Sequence, residues 1–89
     1  MNSKYKHVIN LTRRFKHSLK ILSKENQERV LSKVNELGLG IDEGKILRGE
    51  YKGIRSLRVG KYRVIYEKPK HCTIILLDIG NRETIYDNL

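Results

Sequence analysis

The central part of the chain reads LRVGKYRVIY over residues 57–66. Before Gly60 the apolar residues alternate with polar ones, and this period of two is typical of a β-strand. Gly60 can adopt a positive φ angle, which a tight turn between antiparallel strands requires. The stretch therefore predicts a β-hairpin in which Leu57 and Val59 face the core and Arg58 lies on the opposite face.

A further strand is predicted after this hairpin. The segment TIILLDI over residues 73–79 is apolar and rich in β-branched residues, which is typical of a central strand. Residues 68–71, which include Pro69, are predicted to form the turn that precedes it. On the second hairpin strand, two sets of residues remain candidates for the core-facing side, namely Tyr62, Val64 and Tyr66, or Arg63 and Ile65.

The first half of the chain predicts two helices. One apolar stripe with helical spacing comprises Leu11, Phe15, Leu19 and Leu22, and a second comprises Val30, Leu31, Val34 and Leu37. Thr12 and Ser23 are placed to cap the two N-termini, and Gly38 is placed to end the second helix in a left-handed conformation. Residues 5–10 are predicted to form a short strand before the first helix.

These elements give the order β-α-α-β-β-β and an α+β fold. We expect the helical hairpin to pack on one face of an antiparallel sheet, which leaves the other face free for charged side chains. A length of 89 residues suits a single domain, so we expect residues 1–89 to form one.

Basic residues dominate the charge of the chain, because 19 Lys and Arg stand against 10 Asp and Glu, a net charge of +9. Residues 1–33 and 45–70 each hold nine basic and two acidic residues. This balance favours a polyanionic partner, either nucleic acid or an acidic protein. No apolar run reaches the roughly 18 residues of a membrane span, and the N-terminus does not resemble a signal peptide. We therefore expect a cytoplasmic protein without membrane contact.

The sequence offers little for metal or cofactor chemistry. His7, His17 and His71 lack the spacing of metal ligands, and a single cysteine, Cys72, makes neither a zinc site nor an internal disulfide. No glycine-rich phosphate-binding motif is present. Neither a metal nor a cofactor is expected, and nothing in the spacing favours a histidine pair or Cys72 as catalytic groups.

Basic residues and tyrosines interleave along the predicted hairpin instead. Basic side chains neutralise phosphates and tyrosines stack on unpaired bases, a combination that fits single-stranded RNA. The alternative is that the tyrosines line the rim of the core while the basic side chains extend into solvent. Arg55 is expected near an edge. The predicted RNA-binding residues are Lys52, Arg55, Arg58, Lys61 and Tyr62.

LRVGKYRVIY resembles the central hairpin of the RelE/ParE superfamily, which comprises toxins of type II toxin–antitoxin systems. DIGNRETIY over residues 78–86 is similar to the end of the last strand in that superfamily, and LRG over 47–49 resembles the segment before the hairpin. The resemblance is greatest to RelE. It implies a RelE-like toxin domain that binds the 30S A site of the ribosome and cuts the mRNA there without a metal.

The resemblance also implies roles for individual residues. Arg63 matches the arginine that binds the phosphate, Arg82 matches the one assigned to the leaving oxygen, and Tyr86 matches the proposed general base. A tyrosine has an ordinary pKa of about 10, and nearby cations favour its phenolate. Two features depart from RelE, since Ile54 and Ser56 stand where lysines are expected and the interval before Tyr86 is shorter.

The resemblance implies an acidic, RelB-like antitoxin that forms a hetero-oligomer with the chain and supplies most of the contact with operator DNA. Two alternatives remain open: a ParE-like toxin that acts on DNA gyrase without nuclease chemistry, and a non-toxic RNA-binding module. The two arginines also have structural alternatives. Arg63 could pair with Glu67, and Arg82 could pair with Asp78, Glu83 or Asp87.

Overall fold

The computed structural model describes residues 7–40, 45–46, 53–70, 72–81 and 85. The strands are β1 (Val8–Leu11), β2 (Lys45–Ile46), β3 (Ile54–Val59), β4 (Tyr62–Lys70) and β5 (Thr73–Asn81), and the helices are α1 (Arg13–Ile21) and α2 (Lys24–Gly38). The sheet order is β1-β5-β4-β3-β2, with β1 parallel to β5 and the other neighbours antiparallel. The expected α+β fold, with two helices on a mainly antiparallel sheet, is confirmed.

The first strand and the sheet edge differ in detail from expectation. β1 begins at Val8 and ends at Leu11, whereas residues 5 and 6 of the predicted strand lie outside the described residues. The two-residue strand β2 was not predicted. It pairs with Ser56 and Arg55 of β3, and two residues are too few to show a period in the sequence.

Both predicted N-caps are present. The Thr12 hydroxyl accepts a hydrogen bond from the Phe15 N–H at 3.1 Å and donates to the carbonyl of Leu76 in β5 at 2.8 Å. The Ser23 hydroxyl accepts from the Asn26 N–H at 3.2 Å. Thr12 thus begins α1 and ties it to the sheet in the same place.

The end of α2 differs from the prediction. Gly38 remains inside the helix, and Leu39 caps it by donating its N–H to the carbonyl of Asn35. The left-handed residue is Gly40, whose φ is +76°. Gly38 is buried, and its carbonyl accepts a hydrogen bond from the N–H of His7 beside β1. Gly38 therefore connects the end of α2 to the segment before β1 and does not form the predicted left-handed cap.

The main core lies between the helices and the sheet. Its strand residues on the hairpin are Leu57, Val59, Val64 and Tyr66, with Tyr62 packed beside them. The predicted pair of Leu57 and Val59 is confirmed, and the ambiguity on β4 is resolved in favour of the set that contains Val64. Leu31 was predicted to be buried but is 46% exposed. It lies about 100° around the helix from Val30, and Val30, Val34 and Leu37 already fill the contact face.

The opposite face of the sheet is partly covered, which corrects the expectation that it is free. Ile65 is fully buried but is not part of the helix-side core, and Ser56 beside it is 1% exposed. Ile85 is also buried and packs on Gly80, where an added Cβ would lie 3.2 Å from the Ile85 Cβ. Ile85 therefore covers part of this face.

The pairing of β4 with β5 contains two irregularities. Ile65 pairs with Asp78 and Tyr66 with Leu76, so Leu77 is an extra residue in β5. Pro69 lies in the second irregularity, between Glu67 and Lys70, because it has no N–H to give to the ladder. The predicted turn at 68–71 is therefore wrong, since β4 continues to Lys70, and His71 lies outside the described residues.

A buried carboxylate fixes α1 to β5. Asp78 is 5% exposed, and its Oδ1 accepts hydrogen bonds from the Ser18 hydroxyl and from the N–H of Ile79. Its Oδ2 lies 2.9 Å from Nε of Arg14. Arg14 itself is largely exposed, so the hydrogen bonds to the buried carboxylate contribute most of the stabilisation.

Replacing this carboxylate should weaken the fold. We expect Asp78→Ala to lower the free energy of unfolding by about 1–3 kcal/mol, because Ser18 and the Ile79 N–H lose a charged acceptor. The control is Glu28→Ala, which removes an exposed carboxylate beyond the first turn of α2 and should change stability by less than about 0.5 kcal/mol. Urea denaturation of both variants measures the difference, and equal losses would contradict the role assigned to Asp78.

Candidate active site

Arg63 lies in a row of three residues that crosses the middle strands. It pairs with Arg58 of β3 on one side and with Gly80 of β5 on the other. Directly paired residues project from the same face of an antiparallel sheet. This row, which we call the Arg58–Arg63 row, lies on the face away from the helices, because the neighbouring Val64 faces the core.

Ser56 holds the guanidinium of Arg63. Nη1 of Arg63 donates a hydrogen bond to Oγ of Ser56 at 2.9 Å, and Ser56 is 1% exposed. A guanidinium has five donors in a planar fork, so one tethered donor restricts the orientation of the others. Ser56 stands where the resemblance leads one to expect a lysine, and here it acts as a buried acceptor instead of a further cation.

Arg63 does not form the ion pair with Glu67 that was its structural alternative. Both residues are described, and Arg63 donates a hydrogen bond to Ser56. Asp78, one of the three acidic partners considered for Arg82, uses its carboxylate on α1. Within the described residues, neither Arg58 nor Arg63 pairs with a carboxylate.

The close pairing of Arg58 and Arg63 concentrates positive charge on this face. Like charges that lie directly opposite each other on neighbouring strands destabilise a sheet. Arg58 is exposed and Arg63 is half-buried, so the charge is accessible from solvent. An anion bound between the two would remove the repulsion, and a phosphate fits the planar fork of arginine well.

The structure does not bring all of the predicted RNA-binding residues together. Arg55 and Tyr62 belong to the helix-side face, as the register with Tyr66 and Val59 shows. Tyr62 packs against the core, and Nζ of Lys61 lies 5.5 Å from its ring centroid. Tyr62 is therefore separated from the Arg58–Arg63 row by the thickness of the sheet, which matches the alternative in which tyrosines line the core.

Three predicted residues, Arg82, Tyr86 and Lys52, lie outside the described residues. In the sequence, Arg82 follows Asn81, the last residue of β5, and Tyr86 follows Ile85, which packs on Gly80. Their catalytic and binding roles stay predictions.

Sequence reasoning missed the role of Ser56. Its position two residues before Arg58 places it on the same face of β3, and a small hydroxyl residue within a strand that is otherwise apolar and basic is a signal for a buried hydrogen bond.

The described part of the chain contains no group of three His, Cys, Asp or Glu residues that could hold a metal ion. It also contains no helix that is long and apolar enough to cross a membrane.

Comparison with protein families matches residues 9–86 to the ParE toxin of type II toxin–antitoxin systems, parDE. The chain belongs to this family. It is therefore the toxin component of a toxin–antitoxin system, and the resemblance to the RelE/ParE superfamily is confirmed. A search of curated proteins found no match.

Solved structures of toxins share the fold of this ParE-family chain. The toxin–antitoxin complex RelBE2 of Mycobacterium tuberculosis matches at 27% identity and a TM-score of 0.64, over 92% of this chain and 98% of that one. The isolated RelE toxin of E. coli matches at 18% and 0.68, over 92% and 93%. YafQ of E. coli matches at 14% and 0.72, over 90% and 98%.

Removing the Ser56 hydroxyl should release Arg63. We expect Ser56→Ala to increase the motion of the Arg63 side chain and to lower the free energy of unfolding by about 1 kcal/mol. Side-chain ¹⁵N relaxation of Arg63 measures the motion, and Ser32→Ala on the exposed surface of α2 is the control. If Arg63 is equally mobile in the wild type and in both variants, the bond to Ser56 does not orient it.

Proposed function

We propose that this toxin is an endoribonuclease that cuts mRNA in the 30S A site of the ribosome and thereby inhibits translation. The observation that carries the proposal is the Arg58–Arg63 row. It combines one guanidinium oriented by a buried hydroxyl with a second cation directly opposite, and neither pairs with a carboxylate in the part of the chain that the structure describes. The shared fold with RelE and YafQ supports the same reading.

In the proposed reaction the nucleophile comes from the message itself. The 2′-hydroxyl oxygen forms a bond to the adjacent phosphorus while the bond from phosphorus to the 5′-oxygen breaks. Tyr86, as its phenolate, takes the proton of the 2′-hydroxyl, and the leaving oxygen takes a proton from solvent to become a 5′-hydroxyl. The other product end is a 2′,3′-cyclic phosphate, so this step needs no metal, no cofactor and no water nucleophile.

The arginines supply charge stabilisation in this scheme. Negative charge spreads over the phosphate oxygens in the transition state, and donors fixed in advance stabilise it most effectively. Arg63 binds the non-bridging oxygens and Arg82 stabilises the leaving oxygen. Arg58 attracts the RNA backbone to the same region, and Lys52 is assigned the same role, whereas Lys61 lies over Tyr62 on the helix side and would contact RNA only at the edge of the sheet.

The proposed dependence on the ribosome follows from the geometry of the reaction, because the RNA itself must hold its reacting atoms in line. The 2′-oxygen, the phosphorus and the 5′-oxygen must lie nearly in line, which free single-stranded RNA seldom satisfies. An mRNA held in the A site is restrained by the ribosome, so the toxin only has to add charge and a base.

An acidic, RelB-like antitoxin is the proposed partner, in a hetero-oligomer. The net charge of +9 favours such a chain, and RelBE2 is itself a toxin–antitoxin complex. Contact with operator DNA is assigned mainly to the antitoxin, and the cytoplasm is the proposed location of the pair.

A ParE-like action on DNA gyrase is the second candidate. It is favoured by the family match, whose name is that of the ParE toxin, and by Ile54 and Ser56 at positions where nuclease relatives are expected to carry lysines. Under this reading the Arg58–Arg63 row would bind an acidic protein surface.

Primer extension on a defined mRNA tests the proposal. Purified toxin is added to bare mRNA and to ribosomes programmed with it, and the variants Arg63→Ala and Arg82→Ala are compared with Arg29→Ala, an exposed arginine on α2. We expect cuts in the A-site codon only with ribosomes. Loss of one charged contact to the transition state should slow cleavage at least about a hundredfold for the two site variants, and Arg29→Ala should cleave normally.

No cleavage by folded wild-type toxin that still arrests cell growth would overturn the nuclease proposal. Inhibition of gyrase supercoiling by the same preparation would then establish the second candidate.

A further inference from the structure

Basic side chains and a histidine dominate the solvent face of α1, which also exposes Ile21 near its end. Arg13, Lys16, His17 and Lys20 are exposed, and their spacing places them within an arc of about 100° on the helix. Phe15, which is fully buried, lies on the other side of the same helix. We call these four residues the α1 basic face.

No acidic side chain balances the charges of this face within the described residues. α1 contains no acidic residue, and none of the four side chains takes part in an ion pair or hydrogen bond in the described part of the chain. The exposed surface of α2 is different, because it mixes both signs and joins Arg29 to Glu25 at 3.2 Å. Arg14 pairs with Asp78, but it does not belong to the α1 basic face.

Folding stability does not explain this arrangement. A cation in the first turn, such as Arg13, opposes the helix dipole. Lys16 and Lys20 are four residues apart, and like charges at that spacing repel each other. A polyanion that bound along the face would relieve both effects, since each phosphate would neutralise one side chain.

We propose that the α1 basic face binds the phosphate backbone of structured RNA. The four side chains extend along about 10 Å of helix, a rigid line of charge that fits a row of phosphates and carries no means of reading bases. The face points away from the sheet, whereas the Arg58–Arg63 row lies on the far side of it. In this proposal the toxin has two separate RNA contacts. The α1 basic face binds ribosomal RNA, and the Arg58–Arg63 row binds the mRNA.

The identification of the bound RNA as ribosomal RNA rests on the proposed function. The proposal that the face binds structured RNA does not depend on that function. The test therefore uses a fluorescent RNA hairpin with a duplex stem, without ribosomes, and measures the affinity of the full chain by anisotropy at several salt concentrations. Lys16→Glu and Lys20→Glu are compared with Lys70→Glu, which makes the same charge change at an exposed position at the end of β4. A polyglutamate peptide replaces the RNA in a parallel series.

We expect Lys16→Glu and Lys20→Glu to weaken hairpin binding several-fold and to reduce the slope of log affinity against log salt concentration by about 1 each. Lys70→Glu should leave both quantities near the wild-type values. Arg13→Glu should also weaken binding while its melting temperature stays equal or rises, because a carboxylate suits the first helical turn. A variant that only damaged the fold would show weaker binding together with a lower melting temperature.

Equal effects of Lys16→Glu and Lys70→Glu would overturn the proposal, because net charge alone would then explain binding. Tighter binding to polyglutamate than to the hairpin would also overturn it and assign the face to an acidic protein. Failure of mRNA cleavage with normal hairpin binding would remove the nuclease proposal and leave this one intact.

Discussion

The buried carboxylate of Asp78 joins α1 to the strand on which the rest of the fold is assembled. β5 pairs with β1 on one side and β4 on the other, and Thr12 adds a second link to it through the carbonyl of Leu76. Two links at successive points fix α1 against β5. The same strand continues to Gly80, which pairs with Arg63, so one strand orients both the helix and the candidate active site.

This arrangement places positive charge in two separate regions, one on the sheet and one on α1. On the sheet, Arg58 and Arg63 are held opposite each other by strand register, and Ser56 restrains the guanidinium of Arg63. On α1, the packing of Phe15 inward leaves the basic side chains on the outside. In both places like charges lie close together and none of them forms an ion pair within the described residues, a local arrangement that opposes stability and favours an anionic partner. The proposed contacts with RNA and with an acidic antitoxin would both use such surfaces.

The sequence predicted the features that depend on neighbouring residues. The hairpin around Gly60, the caps at Thr12 and Ser23, and the core pair of Leu57 and Val59 follow from local patterns, and all are present. The features it missed depend on tertiary contacts. Gly38 lies inside the helix and accepts a hydrogen bond from His7 beside β1. Pro69 lies at a strand irregularity that the neighbouring sequence does not predict.

The candidate site likewise combines residues that the sequence identified with features that only the folded chain shows. The alternation along the strands identified Arg58 as a residue of the face away from the core, and the resemblance singled out Arg63. Neither the alternation nor the resemblance showed that Tyr62 packs on the helix side or that Ile85 packs on Gly80, because these contacts are properties of the folded chain. Ser56 was read as a missing lysine, whereas the structure makes it the acceptor that holds Arg63.

The central claim is that the toxin cuts RNA by providing charge and a base while the message supplies the nucleophile. An mRNA with a single 2′-deoxynucleotide at the A-site cleavage position, loaded on ribosomes beside an unmodified copy, tests this directly. The account predicts that the unmodified message is cut to a 2′,3′-cyclic phosphate and a 5′-hydroxyl, and that the deoxy message stays intact. Cutting of the deoxy message at a comparable rate, or of neither message, would contradict it.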